Sequence, residues 1–326
     1  MSQVTISDPE PITLEGRAGV RYWVHNPYTF TGKAVIDERF SGYPVAVFQP
    51  SGRPAAETPI VIALQGMAAP YQWNAFLVPT LLDMGVACVL FETPLAGERS
   101  MSRNPEGRIV GEVHSLLENG FAVDAALVPR LMDAVAQDFR IVLSLIRDRH
   151  GLEDSRVALF GVSLGTLLSS FAFMRDGIGC RLLGTLGHAD LRSFARSYAP
   201  RYTPLLISRP GRVFGKLASL YYGRIVPAGI NFLALLRDIG SGGTLSASAN
   251  PMTFADRVTA DRRVRFLVGL QDPLVKSPDA IACARRFPNG ACYTVPGLGH
   301  GLTQFGPSFV EHARYFVETQ LSDWKQ

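Results

Sequence analysis

Ser163 lies in Gly161-Val162-Ser163-Leu164-Gly165, directly after the apolar run Val157–Phe160 and before the helix-forming stretch Thr166–Met174. A G-x-S-x-G pentapeptide gains meaning in that strand–turn–helix setting. The turn is so tight that side chains at 161 and 165 would meet neighbouring backbone, and glycine relieves both contacts. Such a turn holds the serine oxygen above the sheet edge at a helix start. Free backbone N–H groups and the helix dipole stabilise an oxyanion there. The chemistry expected is nucleophilic attack by a serine.

A serine hydroxyl needs a base within hydrogen-bond reach, and the base needs an orienting carboxylate. Downstream of Ser163 the chain offers His188, His300 and His312. His300 falls in Val295-Pro296-Gly297-Leu298-Gly299-His300-Gly301, a glycine-rich loop between an apolar run and a helical pattern, and is the first choice for base. His188, at the end of the run Arg181–Leu186, is the second choice and is expected to line a pocket. His312 falls inside a charged helical stretch and reads as surface. The acid expected is Asp272, in Val268-Gly269-Leu270-Gln271-Asp272-Pro273, directly after an apolar strand. Asp190 is its rival, because it also follows a strand. Oxyanion donors are needed in fixed positions. They are expected to be the amides of Leu164, next to the serine, and of Met67, in Gln65-Gly66-Met67-Ala68-Ala69 after the run Pro59–Leu64. Gln65, Gly66 and His188 are expected to border the substrate.

These residues need elements to hold them. Short strands are read at Val20–Val24 and Pro44–Gln49. Pro59–Leu64 and Val86–Phe91 are continuous apolar runs, as in parallel strands covered on both faces. A helix is read over Trp73–Met84, and a long connection runs from Glu92 to about Val123. A long helix spans Ala125–Arg149, with Val128, Leu131, Val135, Phe139, Val142, Leu145 and Ile146 on one face. Strand–helix alternation resumes with Val264–Leu270, a helix near Pro278–Phe287, Ala291–Val295 and a last helix near Pro307–Leu321. The pattern implies an α/β fold with a mostly parallel sheet and helices on both faces.

Leu191–Phe254 interrupts that alternation and reads as an inserted helical cap, with residues 1–190 and 255–326 forming the core. The cap segment holds eight basic residues against one acid, Asp238, and eight aromatic residues. That mixture fits a lid over an acyl pocket whose outer face contacts anionic surfaces weakly.

The chain of 326 residues is 47% hydrophobic and 18% charged, which is globular composition. A net charge of +4 is too mild to imply nucleic acid. Met1–Gly16 does not read as a signal peptide, and no apolar run is long enough to span a bilayer, so a cytoplasmic location is expected. The cysteines at 88, 180, 283 and 292 read as small buried hydrophobes, with a Cys283–Cys292 bridge allowed by spacing.

From about residue 44 to 321 the chain resembles the α/β-hydrolase superfamily, carried by Gly161–Gly165, Asp272, His300 and the Gln65-Gly66-Met67 turn. The Glu92–Ser100 and Asn250–Ala255 stretches are similar to bacterial esterases of the dienelactone-hydrolase and acetyl-esterase type. Many relatives have His-Gly where this chain has Gln65-Gly66. The resemblance implies a serine esterase acting through an acyl-enzyme on a small-molecule ester with an apolar acyl or aryl group, without metal or organic cofactor. Thioesterase, amidase, lactonase or carbon–carbon bond hydrolase chemistry uses the same triad, and a non-catalytic binding protein could retain the fold.

Overall fold

The computed structural model describes residues 3–27, 29–66, 69–101, 119, 127–197, 237–242, 248–300 and 307–325. Ten strands form one sheet: β1 (Thr5–Ile6), β2 (Glu10–Leu14), β3 (Arg17–His25), β4 (Gly42–Phe48), β5 (Ile60–Leu64), β6 (Ala87–Phe91), β7 (Val157–Val162), β8 (Arg181–Thr185), β9 (Arg263–Gly269) and β10 (Gly290–Val295). The order is β1-β3-β4-β6-β5-β7-β8-β9-β10, with β2 paired to β3. The first four strands pair antiparallel, and β4 meets β6 antiparallel. From β6 to β10 every pairing is parallel.

Strand order reverses around β5, whose neighbours are β6 on one side and β7 on the other. Open α/β sheets bind ligands at the strand carboxyl ends near such a reversal. Residues 65, 163, 186–190, 270–272 and 296–300 all follow carboxyl ends of this parallel set.

The apolar runs are buried on both faces because helices cover both. On β5, Ile60, Ile62 and Leu64 face a core shared with α3 (Leu127–His150) and α4 (Leu164–Asp176). Val61 and Ala63 face a second core shared with α2 (Leu77–Asp83) and α6 (Pro307–Gln320). On α3, Leu131, Val135, Phe139, Val142, Leu145 and Ile146 are buried, as their spacing requires. α5 (Ser277–Ala284) packs on β9 and β10.

Two elements add to the sequence reading. α1 (Ala34–Ser41) buries only Ile36, Phe40 and Ser41, while Val35 is 65% exposed. β2 carries Glu10 and Pro11 and pairs on one edge alone, where a proline is tolerated.

The 191–254 segment is described only at 191–197, 237–242 and 248–254, so most of its basic and aromatic residues lie outside the described residues. Residues 191–197 are helical, capped by Asp190, whose Oδ1 accepts from the Arg192 amide at 3.1 Å. All four cysteines are free thiols; no Cys283–Cys292 bridge forms. Burial pushes the Cys283 thiol up to about 12 and Cys292 to about 11. Among the described residues no helix is long and apolar enough to cross a membrane.

Candidate active site

Ser163 bends the chain between β7 and α4 with φ 53° and ψ −114°, a region costly for a residue with a Cβ. Its surroundings enforce the bend. A Cβ on Gly161 would lie 2.4 Å from the Thr166 nitrogen, and one on Gly165 would lie 2.5 Å from the carbonyl oxygens of Leu64 and Gln65. The backbones of β5, β7 and α4 therefore touch only because both positions are glycine. Hydrogen bonds complete the clamp. The Ser163 amide donates to the Thr185 carbonyl at 2.8 Å. The Thr166 hydroxyl donates to the Gly161 carbonyl at 2.8 Å and accepts from the Thr185 amide at 3.2 Å. The Thr185 hydroxyl donates to the same Gly161 carbonyl at 3.0 Å. These polar side chains sat in an apolar pattern and gave no sequence signal of this role.

His300 meets the bend from β10. Its Nε2 is 2.9 Å from Ser163 Oγ, and its Nδ1 is 2.7 Å from Asp272 Oδ2. The Asp272 side chain is fully buried, and its other oxygen accepts from the amides of Leu274 (2.8 Å) and Val275 (2.9 Å). The carboxylate is thus fixed on both sides and can hold one imidazole tautomer. Gly269 makes this meeting possible: a Cβ there would lie 1.9 Å from the Leu298 carbonyl oxygen. Glycine lets the 296–300 loop cross directly over the end of β9. The sequence pointed to Asp272 and His300 but not to this spacer between them.

The rival residues are committed elsewhere. His188 is buried, and its Nδ1 accepts from the Asp190 amide at 3.1 Å. Burial lowers its pKa, while Asp190, Asp279 and Asp272 draw it back up. Asp190 Oδ1 also accepts from the Asn250 side chain at 3.1 Å. Asn250 Oδ1 in turn accepts from the Leu191 amide, so this trio ties the two ends of the insertion together. His312 is exposed on α6.

Leu164 is the first residue of α4, so its amide has no intrahelical acceptor. Met67 lies outside the described residues. The Ala69 amide donates to the Gly66 carbonyl at 3.3 Å. Gln65 and Gly66 are buried at the end of β5, and neither amide atom of the Gln65 side chain has a hydrogen-bond partner. A groove of about 430 Å³ runs elsewhere, between α2 and α6, lined by Pro79, Asp83, Arg314 and Glu318 among others. No site residue borders it.

A mostly parallel sheet with flanking helices and a strained serine bend after β7, the strand beside β5, constitutes the α/β-hydrolase fold. Among solved structures, the chain is similar to an acetyl xylan esterase from Thermoanaerobacterium sp. JW/SL YS485, with TM-score 0.56 and 13% identity over 96% of this chain and 88% of that one. It is similar to an acetyl xylan esterase from Paenibacillus sp. R4, with TM-score 0.55 and 16% identity over 97% and 89%. A Pyrococcus furiosus esterase gives TM-score 0.51 and 12% identity over 98% and 91%. Likeness at these identities is one of fold. No family model matches the chain, nor does any curated protein.

Proposed function

We propose that the protein hydrolyses carboxylic esters through an acyl-enzyme on Ser163. The observation that carries this reading is the continuous hydrogen-bonded line from Ser163 Oγ through the His300 ring to the buried Asp272. The three solved structures named above are esterases by name, two of them acetyl xylan esterases, which favours an ester carbonyl as the target.

His300 Nε2 takes the hydroxyl proton as Ser163 Oγ bonds to the acyl carbon. The carbonyl π electrons move onto oxygen, and the Leu164 and Met67 amides donate to that oxyanion. Asp272 keeps the ring oriented and stabilises the imidazolium. His300 then protonates the departing alkoxide as the C–O bond breaks. Water repeats the sequence and releases the acid. Gln65, Gly66 and His188 border the acyl group. An apolar acyl or aryl group is proposed because aromatic residues crowd the cap sequence.

The test is covalent labelling by a fluorophosphonate, mapped by mass spectrometry, beside hydrolysis of p-nitrophenyl esters, a thioester and an anilide. Label on Ser163, with ester turnover ahead of the other two, is expected. Ser163→Ala should lower kcat by about 10⁴-fold or more, leaving binding and oxyanion effects. An unlabelled Ser163, or an alanine variant as fast as the wild type, rejects the reading.

A further inference from the structure

We propose that Glu92 is a positioning residue of this site, whose carboxylate locks the exit of the Gly66 turn to the loop that follows β6. The inference rests on the esterase reading above and adds what holds the oxyanion side in place. Glu92 directly follows β6 and is 1% exposed. Its Oε1 accepts from the Tyr71 amide at 3.2 Å, and its Oε2 accepts from the Glu98 amide at 2.7 Å. Tyr71 is two residues past Ala69, where the Gly66 turn closes, with Pro70 stiffening the link. One carboxylate therefore bridges two loops at the strand carboxyl ends. The surroundings are shaped for it. Gly97 has φ 47°, and a Cβ there would lie 2.0 Å from Glu92 Oε1.

A carboxylate with two acceptor oxygens satisfies both amides at once. A protonated carboxyl turns one oxygen into a donor, which faces an N–H and loosens one of the two links. Burial pushes the Glu92 pKa up to about 7, against the pull of the two amides. Charged and titratable groups around it are few. Glu98 raises it further and Arg39 of α1 lowers it. The Tyr71 hydroxyl is engaged by Arg21 of β3. Arg99 donates to the Glu92 carbonyl at 2.9 Å rather than to its carboxylate, and is paired with Asp138 of α3 at 2.6 Å. No cation neutralises Glu92 directly among the described contacts, so the lock engages with rising pH across neutrality.

The experiment compares wild type with Glu92→Gln on p-nitrophenyl acetate from pH 5.5 to 8.5. Glutamine keeps the size and mimics the form with one acceptor. At pH 8.5 a roughly tenfold loss is expected, falling on kcat rather than KM. The two proteins should converge within about twofold at pH 5.5, because wild-type Glu92 is then protonated. Glu92→Asp, which keeps the charge, should recover part of the high-pH rate. The His300 ionisation is common to all and cancels in the ratio. A ratio independent of pH, or equal rates at pH 8.5, overturns the proposal. If Glu92→Gln does not fold, the wild type decides alone: phosphonylation of Ser163 across the same range must require two ionisations, and one sufficing overturns it. Absence of both labelling and hydrolysis in the wild type instead rejects the esterase reading itself.

Discussion

On the Ser163 side of the site the fixing contacts are uncharged: backbone against backbone at Gly161 and Gly165, and threonine hydroxyls on carbonyls. On the Gly66 side they are buried charges: Glu92 across two loops, and the Arg99–Asp138 pair beneath them, both side chains fully buried. Steric clamps do not titrate and are insensitive to salt. Buried charges do titrate, and each depends on its partner's presence. Ser163 is thus held by contacts that do not titrate, while the lock proposed at Glu92 makes the opposite wall answer to protonation.

The largest effect that tests this contrast is loss of Arg99. Its guanidinium bonds Asp138 and the Glu92 carbonyl and lies 4.5 Å from the Tyr43 ring centroid. Arg99→Met leaves Asp138 buried without its cation, the Asn26 side-chain amide still donating to it at 3.2 Å. We expect a loss of about 3–5 kcal/mol by urea denaturation. Arg99→Met with Asp138→Leu should recover a large part, because no lone charge remains. A double variant as unstable as the sum of its singles would show that the pair's hydrogen bonds, not its charges, hold this wall.

The steric wall comes next. Gly165→Ala places a methyl group 2.5 Å from two carbonyl oxygens on β5, atoms that no rotamer change can move. A loss of about 3 kcal/mol is expected, with little dependence on pH between 5.5 and 8.5. Equal stability to wild type would mean that β5 and α4 separate easily, and the clamp would not be one.

Which parts of this were legible beforehand follows from how far apart in sequence the contacts lie. The Ser163 bend is a local device, so five consecutive residues announce it. Asp272 was legible because it follows an apolar run closely, and His300 because it sits in a glycine-rich loop between an apolar run and a helical pattern; strand ends are where a parallel sheet presents side chains. Gly269 was passed over, since its reason is a carbonyl 29 residues away at Leu298. Glu92 and Arg99 sit in a stretch rich in charge and glycine, read as the start of a long connection, and burial of both went unread. Only the pairing of β6 beside β5 brings Glu92 to Tyr71. α1 went unseen because two buried apolar residues make too narrow a stripe. Met67 was named as an oxyanion donor from its place after β5, and it lies outside the described residues.

The His300 loop stands between the two walls and gives an intermediate effect. Gly269→Ala must push Leu298, and with it His300, away from β9. Reacting groups misplaced by about 1 Å lose on the order of 100-fold in rate. We expect kcat to fall by about that factor while the far-UV circular dichroism stays unchanged. An unaltered kcat would show that the loop relocates without carrying His300 along.

The smallest expected effect concerns stability across pH at Glu92. In the unfolded chain a glutamic acid gives up its proton near 4.5, whereas the folded protein keeps the Glu92 proton to about 7. Folding therefore takes up a proton between those values. This group's contribution to stability is fully present below about pH 4.5 and is lost as pH rises through 7. Glutamine has no proton to lose, so the difference in Tm between Glu92→Gln and wild type should shift in the variant's favour by a few degrees from pH 5.5 to 8.5. The same substitution is expected to slow turnover at pH 8.5, so the variant gains relative stability where it loses rate. A residue kept only for structure would cost both together. Parallel Tm curves for the two proteins would show that Glu92 stays ionised in the fold throughout, and that the charged wall is as fixed as the steric one.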